Sequence, residues 1–357
     1  EGPRRHLRVL HLQLLSRPAR MRPEDGRAMK PGTFVRVSTR TVAVSVFLLL
    51  VAGALVTSTG SGLAVPDWPL SYGKLMPPMV GGILYEHGHR LIAATVATMV
   101  GLQILVLGFG RTDRTTFRLG LAAFGAILGQ AVLGGMTVLF LLPPAVSSAH
   151  AGLAQIVFAL TATIALRTSR FWSRFTEEAP RAAPDLGEQA ALGKAARLAV
   201  WAAGASYAQI LLGAIVRHTG AGLAIPDWPL SFGKVVPTGV DWAATGVLAH
   251  FTHRTFAWVV VALVVAAGIS LRKVRGVSGF GALATLWFVL VAAQVMLGAT
   301  SVWTGKAVAI TSAHLAVGGL LWITGVLAAV LLARLKALTT APAKAGTPAG
   351  ETAPAAA

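Results

Sequence analysis

The chain of 357 residues contains no cysteine. Disulfides, thiolate metal sites and a cysteine nucleophile are thereby excluded. Charge is scarce too: 12% of the residues are Asp, Glu, Lys or Arg, about half the usage of a soluble domain. Acidic residues are the scarcest, 13 against 31 basic ones, for a net charge of +18. The first forty residues lack an apolar run resembling a signal-peptide core and hold ten Lys/Arg against three acids. What fills the remainder is apolar, 55% of the chain with a mean hydropathy of +0.68. Such a composition indicates an integral membrane protein.

Crossing the hydrocarbon takes about 20 apolar residues, and eight stretches qualify: 40–57, 88–110, 118–141, 147–167, 195–216, 251–271, 279–302 and 309–333. A charge of +18 could suit nucleic acid, but its placement argues for a membrane. The two tails and alternate loops (near 111–118, 167–197 and 272–275) hold 25 of the Lys/Arg, and the intervening loops and helix mouths hold six. By the positive-inside rule both termini are expected in the cytoplasm, with the two long loops, 58–85 and 217–249, outside. The basic segment 1–39 and the Ala/Pro/Thr-rich segment 336–357 read as disordered tails.

The long loops expose an internal duplication. Gly60-Ser61-Gly62-Leu63-Ala64-Val65-Pro66-Asp67-Trp68-Pro69 matches Gly220-Ala221-Gly222-Leu223-Ala224-Ile225-Pro226-Asp227-Trp228-Pro229 at an offset of 160. Glu86-His87-Gly88-His89-Arg90 matches His250-Phe251-Thr252-His253-Arg254 at an offset of 164, as do Ser148-Ala149-His150 with Ser312-Ala313-His314 and Gln130-x-x-Leu133-Gly134 with Gln294-x-x-Leu297-Gly298. A fixed period governs the choice of architecture. Four helices per repeat, an even number, insert both halves the same way up, as parallel repeats. The expected fold is therefore all-α, with eight transmembrane helices in two parallel-repeat four-helix bundles. The repeats are 40–167 and 195–335, joined by a cytoplasmic linker, 168–194.

Seven of the nine histidines map to the outer ends of helices. His89 and His150 enter the first bundle from the same side at similar depth, and His253 and His314 repeat this in the second. Two imidazoles facing one another in an apolar bundle are what a bis-histidine haem requires. A lone membrane histidine more often bonds a neighbouring helix, but four at matched places in a repeat favour iron ligation. Each ligand also needs a partner for its other ring nitrogen, which the sequence does not identify. His87 and His218 have no histidine in the other repeat and read as interfacial polar residues.

Glu86 stands where the second repeat has His250, and this is the main chemical asymmetry between the halves. Glu86 and His89, three apart, share a helix face, which directs the carboxylate to the iron site as a proton-transfer candidate. A glutamate paired with Arg90 or Lys74 is the alternative. Arg90 and Arg254 are candidates for haem propionates or for interfacial anchoring. The Pro-Asp-Trp-Pro loops read as lids, with Asp67 and Asp227 capping turns. Gln130, Gln209 and Gln294, each followed by a glycine four residues on, read as helix-packing glue.

In combination these motifs resemble the haem A synthase family, membrane enzymes of cytochrome oxidase assembly, over about residues 40–335. The resemblance implies oxidation of a ring methyl of haem O to a formyl group. It places substrate haem O in the N-terminal half with Glu86 as catalytic residue and His89, His150 and Arg90 as haem-binding residues. It places a resident haem b in the C-terminal half with His253, His314 and Arg254, passing electrons. It further implies the plasma membrane of a prokaryote, haem sites toward the outer face, and delivery of haem O by a haem O synthase. The electron donor is unidentified, homo-oligomer formation is open, and no nucleic-acid partner is expected. Many members carry a cysteine pair in the first outer loop, so its lack here means a thiol step cannot be general. Arg217 matches Thr57 of the first repeat; if that arginine holds a propionate, the first pocket needs another group. The competing reading is a di-haem b-type cytochrome carrying electrons from quinol, which would have no use for the Glu86/His250 difference. A transporter is the third, weakened by the lack of polar residues at mid-depth.

Overall fold

A computed structural model describes residues 31–178, 185–243, 245–275 and 277–340. Among the described residues there are nine α-helices and no named strand. They are α1 (Thr33–Ser58), α2 (Gly82–Phe109), α3 (Arg114–Leu139), α4 (Pro144–Arg167), α5 (Arg170–Glu178), α6 (Leu186–His218), α7 (Thr245–Arg272), α8 (Phe280–Trp303) and α9 (Val308–Thr340). All but α5 are long and apolar enough to span a bilayer. The eight expected spans are present, and the chain is a multi-pass membrane protein. Several helices outrun their apolar cores: α1 begins at Thr33, α2 at Gly82 and α6 at Leu186. Hydropathy sees only the hydrocarbon-length core, whereas backbone hydrogen bonding carries the helix beyond it.

Local chemistry sets the helix starts. Asp113 caps α3 by accepting from the amides of Thr115 and Thr116, both at 3.1 Å, and also pairs with Arg167 at 2.8 Å. Asp185 caps α6 through the Glu188 amide at 2.7 Å. Pro144 opens α4 at a position where no donor is required.

Helices α1 to α4 pack in a closed ring, each on the next and α4 back on α1; α6 to α9 do the same. The first ring encloses Val42, Val46, Val100, Ile127 and Phe158. The second encloses Val264, Phe280, Trp287, Leu331 and Leu332. The rings meet where α4 packs on α6 and α9 packs on α1 and α4. Bulky side chains such as Leu105, Phe109, Trp201 and Trp258 point outward, as expected of faces solvated by lipid rather than water.

Segment 168–194, between the two rings, carries α5 and the start of α6. Too short and too polar for a span, α5 has an aromatic face: Phe175 packs on Phe171, Trp172 and Phe280, while Arg167 lies over Trp172 at 5.0 Å. Residues 1–30 and 341–357, which make up most of the two expected tails, lie outside the described residues.

Candidate haem-binding site

His89, His150, His253 and His314 lie six to eight residues into α2, α4, α7 and α9, roughly 10 Å along each axis. That is about two turns, at similar depth in all four. Each ring is seated against a glycine of a neighbouring helix. A Cβ at Gly53 would stand 3.2 Å from His89 Cε1, at Gly134 3.2 Å from His150 Cε1, at Gly213 3.0 Å from His253 Cε1, and at Gly298 3.2 Å from His314 Cε1. The four glycines belong to α1, α3, α6 and α8, so every helix of both rings contributes either a histidine or its seat. His89 lies within electrostatic reach of His150, and His253 of His314. Among the described residues no three His, Asp or Glu converge on one point; these are paired imidazoles.

The loops between α1 and α2 and between α6 and α7 close over the same end. Both carry a cis Trp–Pro bond and a tight turn bridging Ser71 to Lys74 and Ser231 to Lys234. Asp67 accepts from the amides of Tyr72 (2.6 Å) and Gly73 (2.8 Å). Asp227 accepts from those of Phe232 (2.7 Å) and Gly233 (2.8 Å), so both cap turns as expected. The Gly73 amide, and then that of Tyr72, hold the Asp67 carboxyl below the usual carboxylate range. The Trp68 ring rests on Gly135, about 3 Å from where a Cβ would stand. It thereby lies beside Gly134, the seat of His150.

The charged residues at the helix mouths hold these loops. Buried Glu86 accepts from the Val65 amide at 2.8 Å through one oxygen and from Arg90 at 2.6 Å through the other. The carboxylate expected to face the histidine is turned to the loop, because an unpaired amide and a guanidinium are both in reach. Arg90 also donates to the carbonyls of Asp67 (2.7 Å), Leu70 (2.9 Å) and Val65 (3.1 Å). Arg254 donates to those of Asp227 and Leu230 and lies over Trp228 at 5.2 Å. His250 takes Glu86's place at the loop, accepting from the Ile225 amide at 3.2 Å. His87 was expected at the rim, but it is buried and bonded to Ser71 at 2.7 Å. His218 is half-buried beside Arg217, within electrostatic reach of His150.

A family model described as cytochrome oxidase assembly protein matches residues 81–326. The chain belongs to the haem A synthase family. Curated haem A synthases similar to it include that of Symbiobacterium thermophilum, 33% identical over 71% of this chain and 81% of the relative. Those of Halalkalibacterium halodurans (29%, covering 83% and 96%) and Bacillus cereus (28%, covering 76% and 85%) are also similar. As a member the chain is a haem-dependent membrane oxidoreductase. Its residues fit such a group: Nδ1 of His89, His150 and His314 is buried with no hydrogen-bond partner, and glycine backs each ring where any side chain would crowd it.

The reading from sequence missed the glutamines. Gln130, Gln209 and Gln294 lie against His150, His253 and His314, not in generic helix contacts. The available signal was the Gln-x-x-x-Gly spacing, which puts the amide one turn from the glycine that seats the ring.

Proposed function

We propose that the chain converts haem O to haem A by oxidising a ring methyl to a formyl group, supplying haem A for terminal oxidase assembly. Substrate haem O is held in the first bundle between His89 and His150. A resident haem b is held in the second bundle between His253 and His314, and when bound it supplies electron transfer. The observation that carries this reading is the fourfold seating of a histidine on a glycine, at matched depth, in two rings of helices.

The chain's own residues then divide the work. The imidazoles bind and orient each macrocycle, and the glycines seat the imidazoles. The two loops exclude water, held down by Arg90 and Arg254, whose part in haem binding is to fix the lid. Glu86 is the acid–base residue of the first pocket, three residues from His89 and paired with Arg90. His250 bonds the matching amide of the second loop without a carboxylate, which suits a pocket that passes electrons only. The two rings are parallel repeats with both termini cytoplasmic and the haem sites toward the outer face of a prokaryotic plasma membrane. Haem O is handed over by a haem O synthase, and an external donor supplies electrons.

Co-expression with a haem O synthase, followed by extraction and chromatography of the haems, tests the reaction. Haem A should accumulate. Haem O persisting unchanged beside a normal b-type spectrum would overturn the enzyme in favour of an electron carrier.

A further inference from the structure

The three glutamines treat the four histidines unequally. Gln130 donates to the backbone carbonyl of His150 at 2.9 Å and lies 3.3 Å from its ring Nε2. Gln209 donates to the carbonyl of His253 at 2.8 Å and lies 3.1 Å from its Nδ1. Gln294 lies 3.4 Å from Nε2 of His314. A carbonyl can only accept, so the amide orientation of Gln130 and Gln209 is fixed by the chemistry. Each glutamine stands four residues before the glycine that seats the same histidine: Gln130 and Gly134, Gln209 and Gly213, Gln294 and Gly298.

His89 breaks the pattern. It is seated on Gly53 as the others are on their glycines, but four residues before Gly53 stands Leu49. Leu49 belongs to the apolar packing of the first ring and its side chain offers no hydrogen bond to the His89 ring.

We infer that Gln130, Gln209 and Gln294 are positioning residues that fix three of the four iron-ligating histidines, and that Leu49 leaves His89 as the ligand free to withdraw. This rests on the proposed haem pockets. At Gln130 and Gln209 the amide, bonded to the ligand's own backbone carbonyl, ties two helices together at that residue. The same side chain also flanks the ring edge and obstructs rotation of the imidazole away from the iron. At His89 no glutamine stands in the way of that rotation. The second pocket is therefore closed to outside ligands, as electron transfer requires. The first would open on the His89 side and admit an outside ligand there.

Carbon monoxide is the probe, because it binds ferrous haem only where a ligand leaves. Full-length protein co-expressed with a haem O synthase is purified and reduced with dithionite. The carbon monoxide difference spectrum is then recorded per haem for wild type, Leu49→Gln and Gln209→Leu, with haem content measured in parallel. Wild type should bind carbon monoxide at less than one per two haems. Leu49→Gln should weaken that binding about tenfold, the usual scale for a residue supporting a metal ligand. Gln209→Leu should add a second reactive haem. A variant with wild-type haem content and wild-type carbon monoxide binding would overturn the inference. If Gln209→Leu does not fold, Leu49→Gln, which removes no polar group, decides alone. Wild type purified without any haem would count against the pockets themselves and not against the glutamine contacts.

Discussion

Glu86 and Arg90 form a 2.6 Å ion pair one helical turn apart, with the carboxylate nearly excluded from solvent. Because the second carboxylate oxygen holds the Val65 amide, a change at Glu86 disturbs the lid and the pocket together. The variants must separate these effects. Glu86→Ala leaves the Val65 amide without its acceptor and Arg90 held only by the loop carbonyls, and should cost about 1–3 kcal/mol. Glu86→His copies the arrangement of His250 and the Ile225 amide. It should keep the lid and the haem but stop haem A formation. Thermal unfolding and haem extraction from the two variants check this, and wild-type turnover in Glu86→His would remove the carboxylate from the chemistry.

The glycine seats predict a loss that resembles ligand removal. Gly298 leaves no room for a side chain against His314, since a Cβ would already lie at 3.2 Å. Gly298→Val should displace the imidazole and empty the second pocket as fully as His314→Ala, while the first pocket still fills. Haem content per chain in the two variants tests this. Retention of both haems in Gly298→Val would mean that the ring does not need its seat.

Much of this arrangement was legible in the sequence, for physical reasons. Eight runs of apolar residues long enough to cross a bilayer have few other uses, and four histidines at matched offsets in a duplication have fewer. What stayed hidden depended on helix rotation and on competition between partners. Gln209 in an apolar helix reads equally as interhelical glue, and only the facing of α6 on α7 brings it to His253. Glu86 and His89 share a helix face in sequence, but the Val65 amide, 21 residues away, captures the carboxylate. The aromatic run in α5 is shorter than a span, and nothing local reveals that Phe175 docks on Phe280.

The loop carboxylates predict an acid sensitivity with a definite sign. Asp67 is held below its ordinary value first by the Gly73 amide and then by that of Tyr72. In Asp227 the Gly233 amide leads and, with that of Phe232, outweighs the opposing effect of burial. A carboxyl depressed in the folded state stabilises the loop above its unfolded pKa, about 3.9, and loses that contribution as pH falls through the folded value. Both loops should hold from neutral pH down to about 4 and loosen below it. Trp68 fluorescence and protection of the Tyr72 and Gly73 amides should report the change. Asp67→Asn should flatten the acid transition of the first loop and leave that of the second in place.

Arg217 predicts a separation between two roles. From the end of α6 it donates to the carbonyl of Ala54 at 2.8 Å and to Ser58, both on α1. Ser58 in turn accepts from Ser312 of α9 at 3.0 Å, so one arginine ties the two rings at the end where the histidines lie. The first ring has Thr57 at the matching place, too short to reach across, and the link is one-sided. Arg217→Met keeps the length of the side chain and removes its donors. Leaving the Ala54 carbonyl and Ser58 without this partner should cost about 1–3 kcal/mol. If Arg217 serves as this tie, the variant melts earlier but retains both haems in wild-type amount. If instead it anchors a propionate, the haem of the second pocket is lost selectively while the melting of the haem-free protein hardly moves. Haem content and thermal unfolding, measured on one preparation, tell the two apart, and the hydrogen bonds to α1 favour the first result.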